Sequence, residues 1–258
     1  MDFYGTIGPA CAQPDILRRM VDAGMTGIRM NLSHGPLSAH ADWLALIREA
    51  GIRDLLIDLQ GPELRIGTLP QPVALAAGDA VRLGQGGIPC PEALVQAAKP
   101  GQELLLDDGK LLVRVTSAVA DALQCTVVRG GVLLSRKSIA APGLEVPSPT
   151  LTKEDLQNLN VAVQCGITGV MLPFVRGRED LEHLRAALHR AGADGVRILA
   201  KIESREGAEH LESLFGAADE IVIARGDLGN AMDLWQLPGV QKRIARRCRE
   251  EKKPFCLV

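Results

Sequence analysis

Short runs rich in β-branched residues or leucine recur along this chain with amphipathic stretches of helical period between them, and that alternation limits the fold more than any other feature. The runs are 3-FYGTI-7, 27-GIRMN-31, 54-DLLIDL-59, 169-GVMLPF-174, 197-RILAKIE-203, 220-EIVIAR-225 and 254-PFCLV-258. Helices are expected over residues 14–24, 37–51, 152–166, 177–192, 206–216 and 238–253, several opening on Pro, Thr or Gly and closing at Gly. Strands that alternate with helices in this way run parallel and are joined by crossovers, which predicts an α/β fold built as a TIM-type (β/α) barrel.

Residues 67–147 break the rhythm. There, apolar runs such as ELLLDDGKLLVRVTSAV and ALQCTVVRGGVLLS are separated by turn residues, and the Asp108-Gly109 pair signals a hairpin. The segment reads as a small all-β domain inserted after the third barrel strand, leaving residues 1–66 and 148–258 to the barrel. A complete eight-stranded barrel takes roughly 250 residues, whereas about 180 remain outside the insert. Seven strands can be placed, so the expected barrel is incomplete at its C-terminal end, lacking the elements beyond the seventh strand. Bare strand edges invite aggregation, and a homo-oligomer or a complementing chain is expected to cover them.

Composition narrows the function classes. With 47% hydrophobic and 23% charged residues among 258, the chain has material for a sizeable core and is neither disordered nor fibrous. A net charge of −2 with both signs interspersed provides no basic face for nucleic acid or an anionic membrane. No run approaches the roughly eighteen apolar residues of a membrane span, and the N-terminus lacks a basic segment followed by an apolar one, so a cytoplasmic location is expected. Six cysteines without a C-x-x-C pair indicate reduced thiols rather than a zinc knuckle or disulfide framework.

Polar and charged residues gather at the C-terminal ends of the expected strands, where parallel barrels form their ligand sites. Arg29, Asn31, Ser33 and His34 follow the second, Asp58, Glu63 and Arg65 the third, and Arg225 and Asp227 the sixth, while Lys201 and Glu203 lie on the fifth. Strand alternation puts Lys201 and Glu203 on one face with Ile202 opposite. Glu203 and Asp227, two carboxylates without a histidine, make a hard oxygen site suited to Mg²⁺ or Mn²⁺, with positions left for substrate oxygens and water. Lys201 is then a fixed positive charge for an oxyanion or a transferring phosphoryl group; the same Lys201–Glu203 pair also reads as an internal ion pair capping the strand. Gly226 and Gly229 let backbone N–H groups around Asp227 approach an anion, or simply form a strand-to-helix turn. Asn31, Ser33 and Asp58 offer oxygens to a monovalent cation, or satisfy a local turn. Arg29 and Arg65 suit a phosphate, or pair with Glu63. No phosphate-binding G-x-x-x-x-G-K-[ST] loop, dinucleotide glycine motif, H-E-x-x-H or G-x-S-x-G is present.

Taken together, 6-TIGPA-10, 24-GMTGIRMNLSHG-35, 57-IDLQGPELRIG-67, 105-LLDDGK-110, 134-LSRKSIAAPG-143, 152-TKEDLQNL-159, 199-LAKIESREG-207, 222-VIARGDLG-229 and 253-KPFCLV-258 resemble the pyruvate kinase family, in order and in spacing along the whole chain. The resemblance implies that the insert is a lid domain and that the chemistry is phosphoryl transfer from phosphoenolpyruvate to ADP, giving pyruvate and ATP in glycolysis, with Mg²⁺ (or Mn²⁺) and K⁺ as cofactors. By position, Lys201 would stabilise the phosphoryl group and developing enolate, Arg29 would contact the phosphate, and Glu203 and Asp227 would hold Mg²⁺. Backbone N–H groups near Gly226 and Asp227 would take the substrate carboxylate. Asn31, Ser33, Asp58 and the carbonyl of Leu59 would bind K⁺, with Glu63 accompanying K⁺ dependence, and Asn31, His34 and Lys137 would face the nucleotide phosphates.

The chain also departs from the family pattern. Leu59-Gln60 stands where Thr-Lys is usual, which removes a positive charge, and Lys137-Ser138-Ile139-Ala140 replaces K-G-x-N in the lid. The family's Thr-Gln segment implicated in protonating the enolate, its eighth strand and its regulatory domain would lie beyond Val258. Two other readings therefore accompany the kinase: a truncated paralogue that binds phosphoenolpyruvate or a partner without turnover, and a metal-dependent lyase or aldolase acting on pyruvate enolate, against which the lid and Lys201 argue.

Overall fold

The computed structural model describes residues 1–144 and 146–258. Its strands are β1 (Tyr4–Thr6), β2 (Gly27–Asn31), β3 (Asp54–Asp58), β4 (Val73–Leu75), β5 (Ala80–Gly84), β6 (Glu103–Leu106), β7 (Leu111–Val119), β8 (Ala122–Arg129), β9 (Gly131–Leu133), β10 (Ile139–Ala140), β11 (Gly169–Leu172), β12 (Arg197–Ile202), β13 (Glu220–Ile223) and β14 (Phe255–Leu257). The helices are α1 (Pro14–Asp22), α2 (Ala41–Glu49), α3 (Glu92–Ala97), α4 (Lys153–Asn160), α5 (Ala162–Cys165), α6 (Arg178–Arg190), α7 (Arg205–Glu209), α8 (Leu211–Leu214), α9 (Arg225–Ala231) and α10 (Leu237–Glu250). The chain divides into two compact units, one of Met1–Gly61, Thr150–Arg225 and Pro238–Val258, the other of Pro62–Pro149 and Gly226–Leu237.

The first unit is an α/β structure around a curled parallel sheet of seven strands, ordered β1-β2-β3-β11-β12-β13-β14, which is an incomplete TIM-type barrel. Each sheet neighbour is the next strand of this unit in chain order, because a right-handed helical crossover returns the chain beside the strand it has just left. Several strands stop a residue or two before the expected runs do, so Glu203 lies just beyond β12, which ends at Ile202. Two expected helices are each broken in two, 152–166 at Val161 (φ −107°, ψ 2°) and 206–216 at His210 (φ −89°, ψ 13°). The stretch read as a glycine-rich turn around Asp227 is instead helical, in α9. No helix of the described residues is long and apolar enough to cross a membrane.

Two-residue alternation stacks the inward side chains of this sheet in layers. Leu56, Met171, Leu199 and Val222, one from each of β3, β11, β12 and β13, form a buried cluster with Tyr4 and Cys256 against it. Gly169 makes room for it, since a Cβ there would lie 2.5 Å from Leu56 Cδ2 and 3.0 Å from Leu199 Cδ1. Two residues toward the strand starts, the same parity brings up Asp54, Arg197 and Glu220; two residues toward the strand ends, it brings up Asp58 and Lys201. The apolar layer thus separates a polar base from a charged mouth.

At the base, the Asp54 carboxylate accepts hydrogen bonds from Tyr4 Oη, from the Thr168 hydroxyl and from Arg197 Nη2, the last at 2.6 and 2.8 Å. Burial together with the Asp54 hydrogen bond pushes the Tyr4 phenol from 10.0 up to about 12. A raised folded-state pKa gives stability that is complete below the unfolded value and is lost as pH rises through the folded one. Chemical denaturation between pH 10 and 12 should therefore show a steady loss of stability for this chain, and a flatter profile for Tyr4→Phe.

The second unit is antiparallel. Its five-stranded sheet runs β10-β6-β7-β8-β5, and β4 pairs with β9. Leu83, Leu94, Leu104, Leu106, Val113 and Leu123 belong to its core. The hairpin between β6 and β7 turns through Asp107, Asp108 and Gly109 with φ of 50°, 54° and 80°, the left-handed region that Asp tolerates better than most side chains.

Candidate active site

The charged mouth of the barrel unit is centred on Lys201, whose parity with Leu199 aims it over the apolar layer. Lys201 Nζ lies 2.6 Å from Glu203 Oε1 and 3.1 Å from Asp58 Oδ1. Asp58 comes from the end of β3 and also accepts from Arg29 Nε at 3.0 Å. Arg29, on β2, has its Nη1 on the hydroxyl of Thr6 at 3.1 Å. Glu203 takes the backbone N–H of Phe174 on Oε2 at 2.9 Å. Side chains from the ends of β2, β3 and β12 thus converge on one cluster of two cations and two anions.

The acids are deeply placed, with Asp58 2% and Glu203 4% exposed. Burial pulls the Lys201 ammonium down, but the charges and hydrogen bonds of Glu203 and Asp58 outweigh it and hold it above its ordinary value. Lys201 is therefore a fixed cation near neutral pH, suited to neutralising an oxyanion and not to accepting a proton. Taking Asp58, Lys201 and Glu203 out of water is only roughly offset by their attraction, so stability alone is a poor reason for the arrangement.

The other expected residues of this unit lie at the same ends of the strands but engage differently. Asn31 accepts the Ser33 N–H on its side-chain oxygen at 3.0 Å and caps the 3₁₀ turn Leu32–His34, while His34 is exposed. Leu59 is buried and donates its N–H to Met171 O at 3.2 Å. Asp58 is held by both Arg29 and Lys201, so the arginine assigned to phosphate and the acid assigned to K⁺ contact each other. The Phe174 N–H and the Thr6 hydroxyl were not foreseen, because main-chain donors carry no residue signature and Thr6 offers only its register opposite Arg29.

In the second unit, Arg65 pairs with Glu63 at 2.7 Å and not with a free anion site. Burial raises the Glu63 carboxyl, and the charges of Asp227 and Asp108 add to it, more than Arg65 offsets. Lys137 contacts the buried Asp107 at 2.8 Å, and Lys110 reaches its other oxygen at 3.2 Å. Gly226 and Asp227 occupy the first turn of α9.

Among the described residues, no group of three or more His, Cys, Asp and Glu side chains is gathered as a metal-ligand set. A hard divalent ion is satisfied by one or two carboxylates plus ligand oxygens and water, and the chemistry of Glu203 fits that demand. Asp58 Oδ1 is buried without an aligned hydrogen bond, which leaves it lone-pair capacity for a cation beside Lys201.

The family model described as pyruvate kinase, barrel domain, matches residues 2–257. The chain belongs to the pyruvate kinase family. Among its relatives, the pyruvate kinase of Chlamydia pneumoniae is 34% identical over 267 residues, covering 98% of this chain and 55% of the relative. That of Mycobacterium tuberculosis (strain CDC 1551 / Oshkosh) is 36% identical over 267 residues, covering 98% of this chain and 56% of the relative. The chain therefore spans about half the length of the curated pyruvate kinases it matches.

Proposed function

We propose that this chain carries a site for transferring the phosphoryl group of phosphoenolpyruvate to ADP, yielding pyruvate and ATP. The supporting observation is the buried Lys201 ammonium between Asp58 and Glu203 at the strand ends of a pyruvate kinase family barrel. In this reading residues 1–66 and 148–258 form the catalytic domain and 67–147 the lid, and the protein works in the cytoplasm. Arg29 and Lys201 neutralise the phosphate, and Lys201 also faces the charge that develops on the enol oxygen as its bond to phosphorus breaks. Glu203 and Asp227 are the ligands proposed for Mg²⁺ or Mn²⁺, which when bound supplies further neutralisation of the phosphoryl oxygens. Asn31, Ser33, Asp58 and the Leu59 carbonyl are proposed for K⁺. Backbone N–H groups at Gly226 and Asp227 are assigned to the substrate carboxylate, and Asn31, His34 and Lys137 to the nucleotide phosphates.

A coupled assay for ATP made from phosphoenolpyruvate and ADP, with Mg²⁺ and K⁺ present, tests the reading on the 258-residue chain. Turnover is the expected result. Substrate binding without ATP would instead support the non-catalytic binder, and absence of phosphoenolpyruvate binding would contradict both. Loss of one charge-assisted phosphate contact in Lys137→Ala should weaken ADP about tenfold, near 1.4 kcal/mol, while phosphoenolpyruvate binding stays unchanged. Isothermal titration of each ligand separately distinguishes the two effects.

A further inference from the structure

Glu203 has one oxygen on Lys201 and the other on a main-chain donor, Phe174, whose conformation is unusual. Phe174 has φ of +53° and is one of six non-glycine residues with positive φ among the described residues. A bulky side chain in that region is strained, and such strain persists only where the surroundings impose it. The backbone that closely approaches this turn is Gly61, itself left-handed at φ +62°. A Cβ on Gly61 would lie 2.6 Å from Pro173 Cγ and 3.4 Å from Phe174 Cδ2, so this backbone is pressed against the Pro173–Phe174 turn.

Gly61 is in turn tied to Asp155, which is 1% exposed. One oxygen of Asp155 accepts the Gly61 N–H at 3.4 Å; the other accepts the backbone N–H and hydroxyl of Thr152 at 2.9 and 2.8 Å, in a capping box that starts α4. A buried carboxylate satisfied by a helix cap on one side and by a chain 94 positions away on the other fixes where that second chain runs. The sequence thus builds a continuous series of contacts from Asp155 to Gly61, from Gly61 to the Pro173–Phe174 turn, and from the Phe174 N–H to Glu203 Oε2.

We propose that Asp155 and Gly61 are positioning residues for Glu203, acting through the left-handed main chain of Phe174 to orient the carboxylate that binds the divalent cation. The role rests on the reading of Glu203 as a metal ligand. Residues that orient metal ligands typically change metal affinity by about 10- to 100-fold when altered. Neither Asp155 nor Gly61 is assigned a contact with the ion or the substrate.

Mn²⁺ titration followed by electron paramagnetic resonance, on the full chain, tests the proposal. Gly61→Ala and Asp155→Asn should each weaken Mn²⁺ binding about 10- to 100-fold. Phe174→Gly keeps the N–H and takes a positive φ without strain, so its affinity should stay within about threefold of the parent chain. Denaturation midpoints measured alongside separate this from general destabilisation. Glu203→Gln is the control for the parent reading: if it binds Mn²⁺ as the unaltered chain does, both ideas fall. If Glu203→Gln loses Mn²⁺ while folded Gly61→Ala and Asp155→Asn retain full affinity, the positioning role is wrong and the metal assignment stands. Should those two variants fail to fold, Thr152→Ala decides, because it removes the hydroxyl anchor of the Asp155 carboxylate while keeping the backbone N–H: a loss of Mn²⁺ affinity of about threefold or more supports the role, and a smaller change overturns it.

Discussion

Lys201→Met is expected to abolish phosphoenolpyruvate binding and to destabilise the chain by about 3–5 kcal/mol at neutral pH. Methionine keeps most of the lysine's bulk and removes only the ammonium, so the loss is not one of packing. It leaves Asp58 and Glu203 facing each other with no cation between them, in a site where water reaches neither well. That penalty is electrostatic, so adding Glu203→Gln, which removes one of the two facing charges, should restore part of the stability that Lys201→Met loses. Urea denaturation of the single and double variants at neutral pH checks it. A double variant no more stable than Lys201→Met would show that the lysine's role is not charge compensation.

The second large effect belongs to the opposite end of the sheet. Asp54→Ala should cost about 2–3 kcal/mol, because it deprives Tyr4, Thr168 and Arg197 of a shared acceptor. Burial alone would raise the Asp54 carboxyl, but hydrogen bonds from Thr168 and Tyr4 and the charge of Arg197 hold it below its ordinary value. A lowered folded-state pKa gives stability that is present above the unfolded value and lost as pH falls through the folded one. The difference between Asp54→Ala and the unaltered chain should accordingly narrow in acid. Because the apolar layer of Leu56, Met171, Leu199 and Val222 separates this base from the mouth, phosphoenolpyruvate affinity should remain within about twofold in the folded variant, as expected for sites that share no partners.

These two ends were unequally legible in the sequence. Lys201 and Glu203 stand out because two charges close an apolar run, and alternation alone puts them on one face. The base cluster uses the same parity, since Asp54 and Arg197 lie two residues before Leu56 and Leu199. It escaped notice because its members come from four distant segments with no local motif, and Asp54 looks like an ordinary strand-opening residue. Counting parity backward from each apolar run, as well as forward, would have exposed it.

Other differences trace to what neighbours contribute. The glycines flanking Asp227 suggest a turn by propensity, yet residues 225–231 are helical; Leu228 is fully buried, and packing of that kind outweighs a glycine penalty of about 1 kcal/mol. Arg29 and Asp58 were each assigned a separate ligand from the family pattern. Their contact follows from register, since Arg29 lies opposite Leu56 and Asp58 is the next residue of β3 on the same face, within reach of a long guanidinium side chain. Phe174 is the clearest case of something no residue pattern reveals. Its importance lies in a backbone N–H and a positive φ, and only coordinates disclose either.

In the proposed function, the cluster around Lys201 is where a divalent cation and the enol phosphate meet. Its most direct test is a crystal of the chain grown with Mn²⁺ and phosphoenolpyruvate, with data collected at the manganese absorption edge. The predicted result is an anomalous peak within about 2.0–2.3 Å of a Glu203 carboxylate oxygen, and the substrate phosphate in contact with Lys201 and Arg29. A manganese peak elsewhere, with Glu203 still bound to Lys201 and Phe174 and not to the metal, would contradict it.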